Sequence, residues 1–169
     1  MTPTGRSDPD IGCPARCRAQ PMFHRVLDAN PATVRAALQD VRQRFLPEVC
    51  EDTLGRLELV LAEVMNNVTE HAPHELPEPA PDPGRSPVIH LCIVRHDGGL
   101  ACALTDDGIS LPEGCILPRS LPALVPGDLP EGGFGWFLIQ DLTQALCYYR
   151  EDSRNYLAFS LPFTLPETE

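Results

Sequence analysis

Residues 54–72 read LGRLELVLAEVMNNVTEHA, and Leu54, Leu57, Leu61, Val64, Val68 and Ala72 recur there every three or four positions. That period matches one face of an α-helix. No proline interrupts residues 48–72, and Pro47 and Pro73 bound them, so the stretch is predicted to form one long helix. Within it Glu63, Asn67 and His71 stand at steps of four. Each step turns about 40° on a helix of roughly 3.6 residues per turn, so the three polar side chains share one stripe. The stripe lies largely opposite Leu54, Leu61 and Val68 on the helical wheel. The simplest reading of such a stripe is a solvated face. A functional reading needs other segments to converge on it.

Upstream, Asn30-Pro31 is a helix-start signal, with Asn as the cap and Pro at the first helical position. Val34, Leu38, Val41 and Phe45 follow at helical spacing up to Pro47. Before that helix, residues 22–27 alternate weakly as a first strand. Residues 1–20, rich in Pro, Arg and small polar residues, read as a mobile tail. Downstream, residues 73–87 carry six prolines and read as a stiff connector. Two short β-like runs, 88–94 and 100–105, flank the hairpin signal Asp97-Gly98. Residues 109–131 hold five prolines, and an irregular stretch of that length reads as a lid. A helical run over 136–145 and two strands, 147–150 and 156–161, complete the chain. The order β-α-α-β-β-loop-α-β-β predicts an α+β fold: a two-layer sandwich with helices on one face of a mostly antiparallel sheet. One domain over 21–169 accounts for the length.

Composition narrows the chemistry. The 169 residues carry a formal net charge of −11, and all 13 basic residues are arginine. Without lysine there is no Walker A phosphate loop, and the acidic balance argues against a nucleic-acid or anionic-membrane partner. No apolar stretch approaches the roughly 18 residues of a membrane span, and residues 1–10 lack a signal core, so a cytoplasmic protein is expected. Seven scattered cysteines, with no C-x-x-C pair, are expected to be reduced, with Cys92, Cys102 and Cys147 as small buried hydrophobes. Cys13, Cys17 and His24, or His71 and His74, have poor spacing for a metal site.

Two further segments carry polar and glycine residues at junctions. Leu104-Thr105-Asp106-Asp107-Gly108 ends the second hairpin strand, which alone is an ordinary turn. Gly132-Gly133-Phe134-Gly135 stands where a loop enters a helix, whose exposed N–H groups suit phosphate. Taken in order, LAEVMNNVTEHA (61–72), LTDDGIS (104–110) and EGGFGWFLIQDL (131–142) form a more specific constellation than any one of them. With these segments the chain resembles the bacterial anti-sigma-factor serine kinases of the histidine-kinase-like ATPase superfamily, which also includes gyrase, MutL and sensor histidine kinases. The element order agrees across residues 22–163.

The resemblance implies an ATP site with magnesium. Asn67 would give an oxygen to Mg²⁺, and Glu63 would take a proton from an attacking hydroxyl. Asp106 would accept from the adenine amine, Gly108 would let the base approach, and Gly132, Gly133 and Gly135 would wrap N–H groups around phosphates. It further implies partners: a sigma factor, which the protein holds, and a STAS-type anti-sigma-factor antagonist, which it phosphorylates on serine. A homodimer is the assembly found among such kinases. The alternative is a non-catalytic nucleotide-binding module that switches partners through contacts alone. Three positions depart from the family pattern: Glu70 before the histidine, Ser110 in place of a glycine, and Arg119 as the single basic residue of the lid.

Overall fold

The computed structural model describes residues 21–71, 86–111 and 134–164. Its elements run β1 (Phe23–Asp28), α1 (Pro31–Phe45), α2 (Glu51–His71), β2 (Val88–His96), β3 (Gly99–Asp106), α3 (Phe134–Leu142), β4 (Gln144–Glu151) and β5 (Arg154–Pro162). The strands form one antiparallel sheet in the order β1-β2-β3-β5-β4. The fold is α+β, as the sequence predicts. Among the described residues, no helix is long and apolar enough to cross a membrane.

Alternation decides which face of the sheet is covered. Ile89, Leu91 and Ile93 on β2, Leu100, Cys102 and Leu104 on β3, and Leu157, Phe159 and Leu161 on β5 are all buried. They meet Leu54, Leu57, Leu61 and Met65 of α2, together with Val41 and Phe45 of α1, in one apolar cluster. The opposite face carries the row His24, Cys92, Ala103, Ala158 and Cys147, paired strand to strand. Three cysteines are thereby sorted. Cys102 is buried as expected, and burial pushes its thiol up to about 12. Cys92 is half-buried and Cys147 is exposed, against expectation, because both have the outward phase of their strands.

The local signals act as their chemistry suggests. Asn30 caps α1, its side-chain oxygen accepting from the N–H groups of Ala32 and Thr33 at 3.1 Å. Such a cap contributes about 1 kcal/mol. Gly99 leads β3 where the chain passes against the Leu161 carbonyl, and a methyl group there would overlap that oxygen. The helical run expected over 136–145 stops at Leu142, and Gln144 already belongs to β4. Arg56 of α2 donates to the Leu142 carbonyl at 3.2 Å and to the Pro162 carbonyl at 3.3 Å, so α2 satisfies the end of α3. Ala145 then takes a positive φ of 51°, beside an irregularity in the β4–β5 register.

Candidate functional site

The long helix does not leave its polar stripe in solvent. Glu63 and Asn67 are both half-buried, Glu63 towards α3 and Asn67 in the wall of a cleft of about 160 Å³. Val64 and Val68 of α2 line the same cleft with Leu104, Leu157, Ile109 and Trp136, giving it apolar walls. Trp136 is 8% exposed and belongs to both the core cluster and the cleft wall. The His71 backbone closes α2; its side chain lies outside the described residues.

The far end of the cleft is built by two rows of the sheet. Leu104, Leu157 and Tyr148 pair across β3, β5 and β4, and one step beyond them Asp106, Asn155 and Arg150 pair in the same way. Asp106 therefore has the inward phase of its strand and points its carboxylate into apolar surroundings. Burial raises its proton affinity above the ordinary carboxylate value, and a like-charged Asp107 adds to this, while hydrogen bonds from Asn155 and Gly108 and the positive charge of Arg150 oppose it. Both hydrogen bonds fall on one oxygen: Gly108 N–H donates to Oδ1 at 2.9 Å and Asn155 Nδ2 at 2.8 Å. Oδ2 has no partner among the described residues and remains an acceptor. Asp107 points elsewhere, accepting from the Val88 N–H at 2.6 Å and so fixing the start of β2. The two adjacent acids thus have separate tasks.

The glycines have local work to do. A Cβ on Gly108 would stand 2.9 Å from Asp106 Oδ1, so a side chain here would disturb the carboxylate itself. A Cβ on Gly135, in the first turn of α3, would overlap Glu63 Oε2. The expected role of Gly135 was phosphate contact; what the structure places against it is the Glu63 carboxylate. Gly132, Gly133 and all of the expected lid except 109–111 lie outside the described residues.

Asn67 shows the opposite condition to Asp106. Its Nδ2 is buried and has no hydrogen-bond partner among the described residues. An unpaired buried amide terminus costs about 1–3 kcal/mol, and a polar ligand would relieve that cost. Since nitrogen and oxygen of an amide are interchangeable by rotation, Asn67 can present either a donor to phosphate or an oxygen to a cation.

Three residues of the site escape a reading of the sequence. Tyr148 hydroxyl receives the Leu111 N–H at 3.0 Å and lies 3.1 Å from Ser110 Oγ. Arg150 donates to the Gly108 carbonyl at 3.0 Å, and Asn155 donates to the Ile109 carbonyl at 2.8 Å. Together they hold residues 108–111 against the β4–β5 hairpin. The departure at Ser110 has a partner here, the Tyr148 hydroxyl. A signal for Asn155 was available: with Leu157, Phe159 and Leu161 it occupies the buried phase of its strand, where a polar residue is unusual.

Comparisons agree with this architecture. No curated protein matches the chain in sequence. Among solved structures, the RsbU and RsbW domains of Rv1364c from Mycobacterium tuberculosis superpose with a TM-score of 0.55 at 14% identity, over 86% of this chain and 33% of that one. The histidine kinase domain of a blue-light activated histidine kinase from Erythrobacter litoralis EL346 gives a TM-score of 0.46 at 20% identity, over 78% of this chain and 60% of that one. The chain thus spans a third of the first protein's length and three-fifths of the second's. The Mycobacterium likeness is one of fold. The sequence profile of the histidine kinase-like ATPase domain covers residues 27–161, from the end of β1 to the end of β5 and so around every wall of the cleft, and the chain belongs to that family.

Proposed function

We propose that the protein is an ATP-dependent serine kinase that holds a sigma factor and phosphorylates a STAS-type antagonist of the anti-sigma system in the cytoplasm. The observation that carries the reading is the carboxylate of Asp106, fixed through Oδ1 and left with one free acceptor in an apolar cleft. A buried lone acceptor between apolar walls fits the exocyclic amine of adenine, and the walls fit the faces of the base. The resemblance of residues 61–72, 104–110 and 131–142 to anti-sigma-factor kinases supplies the finer assignment.

Magnesium, when bound with the nucleotide, would neutralise triphosphate charge, and the unpartnered Asn67 amide fits a role in holding it. The remaining work belongs to the chain itself. Gly108 clears space beside Asp106 so that the base can reach its second oxygen. The first turn of α3 packs on Glu63 at Gly135, and the free N–H groups of a helix start suit an anionic ligand. Glu63, one turn before Asn67, orients the serine hydroxyl of the antagonist and removes its proton.

Purified protein incubated with γ-labelled ATP, Mg²⁺ and a STAS-domain protein encoded beside it tests the proposal. Label on an antagonist serine, lost in Glu63→Gln, supports the kinase. Tight sigma-factor binding with no transfer to any antagonist would replace it with the binding-module reading.

A further inference from the structure

Asn155 is 4% exposed and uses every hydrogen-bonding position it has. Its oxygen accepts from the Tyr148 hydroxyl at 2.9 Å and from an Arg150 guanidinium nitrogen at 2.6 Å. A guanidinium can only donate, so the amide cannot be turned over, and the nitrogen must face Asp106 and Ile109. Asn155 therefore delivers a donor to Asp106 Oδ1 in a fixed direction, joined there by the Gly108 N–H. An oxygen receiving two donors cannot carry a proton. Any proton taken up by Asp106 must sit on Oδ2, the oxygen free to meet a ligand, and would change it from acceptor to donor.

We infer that Asn155 is a specificity-determining residue: by holding Oδ1 as an acceptor it makes Oδ2 select a 6-amino purine over a 6-oxo purine. The inference rests on the nucleotide reading of the cleft given above. The electrostatic setting makes the donor necessary. Among the described residues Asp106 is the one charged group lining the cleft. Asp107 beside it in the chain favours its protonation, while Arg150 on β4 opposes it. His90 on β2 and Arg154 at the start of β5 meet Asp106 across a second small hollow. Burial is the largest influence and favours the neutral acid, so losing the Asn155 donor tips Asp106 further towards the protonated form.

The test uses ADP and inosine diphosphate, each with Mg²⁺, bound to the intact protein by calorimetry between pH 5 and 8. Carbon-13 NMR of the Asp106 carboxyl in ligand-free protein accompanies it. In the wild type, ADP should weaken as pH falls through the Asp106 midpoint, whereas inosine diphosphate should not. Asn155→Leu keeps the side chain's branching without donors, and the smaller Asn155→Ala, equally without a donor, covers the case that it does not fold. Either should move the Asp106 midpoint upward by about one pH unit and reduce the preference for ADP at neutral pH by about tenfold. Tyr148→Phe removes an acceptor-side partner of the same amide and should lower both affinities by one factor, leaving the preference alone. An unchanged midpoint and preference in the Asn155 variants, with ADP still bound, overturn the inference and leave the nucleotide reading standing. Binding of neither nucleotide at any pH overturns the nucleotide reading and the selection with it; the carboxyl titration then decides alone whether Asn155 governs Asp106.

Discussion

The two ends of the cleft are built on opposite terms. At the Asp106 end, neighbouring strands supply partners for nearly every polar atom: Asn155 is saturated, Tyr148 and Arg150 hold the loop, and only one carboxylate oxygen is spare. At the α2–α3 end, Asn67 has a buried nitrogen without a partner among the described residues, and the Glu63 carboxylate rests against a glycine. A sheet fixes its residues from both sides, so it suits the part of a ligand that must be recognised by shape and donor pattern. Two helix surfaces that leave polar groups unsatisfied suit the part that arrives carrying its own charge. Fixed partners mark the sheet end, and unmet hydrogen-bonding demand marks the helix end.

If that division holds, variants at the two ends should separate binding from rate. The largest effect should come from Glu63→Gln, which keeps shape while removing the proposed base. Phosphoryl transfer to the antagonist should fall about 10²–10⁴-fold in single-turnover assays, with ADP affinity nearly unchanged. Equal losses of rate and affinity would erase the distinction. Next comes Asp106→Asn at the recognition end. Gly108 and Asn155 would keep the new amide's oxygen where Oδ1 now lies, turning its nitrogen towards the ligand amine. Donor facing donor should cost about 1–3 kcal/mol, roughly 5- to 150-fold in ADP affinity by calorimetry, with little change in thermal stability.

Gly135→Ala probes the seam between the helices. The new methyl must displace Glu63, the end of a flexible side chain, so folding should suffer little and the helix should gain up to about 1 kcal/mol. Transfer should drop on the order of tenfold if Glu63, displaced by the methyl, is the base proposed above. A stabler protein that is also slower, seen by urea denaturation beside the kinetic assay, is the expected signature. The smallest effect is one of pH. Asp106 binds its proton more tightly folded than unfolded, where the ordinary value is 3.8. The unfolded chain therefore holds fewer protons between those two midpoints, and stability from this group is lost as pH rises through the folded one. Asp106→Asn should gain on the ligand-free wild type over that same rise in urea melts. A gap that narrows instead would mean that the carboxylate is better solvated than its surroundings imply.

Much of this was legible before any coordinates. The α2 period, the Asn30 cap and the Asp97-Gly98 hairpin are local signals, and each appears where its chemistry demands. The stripe Glu63–Asn67 was visible too, but its burial was not, because a wheel records one helix and not the α3 turn laid against it. The end of α3 is equally non-local: Arg56, 86 positions earlier, satisfies the Leu142 carbonyl. Cys147 was read as buried from its hydrophobic character, although strand phase alone turns it outward. Asn155 adjoins a polar turn, and its pairing with Asp106 is set by strand register across distant segments.

That pairing spans 49 positions, with β5 inserted between β3 and β4. A ribosome would therefore expose the whole of α2, and even the Asp106–Gly108 turn, well before the partner that gives Asp106 its direction. The growing chain passes through a long interval in which it owns the recognition carboxylate but cannot aim it. On the nucleotide reading proposed above, competence for ligand would arrive only with the last strand to be seated.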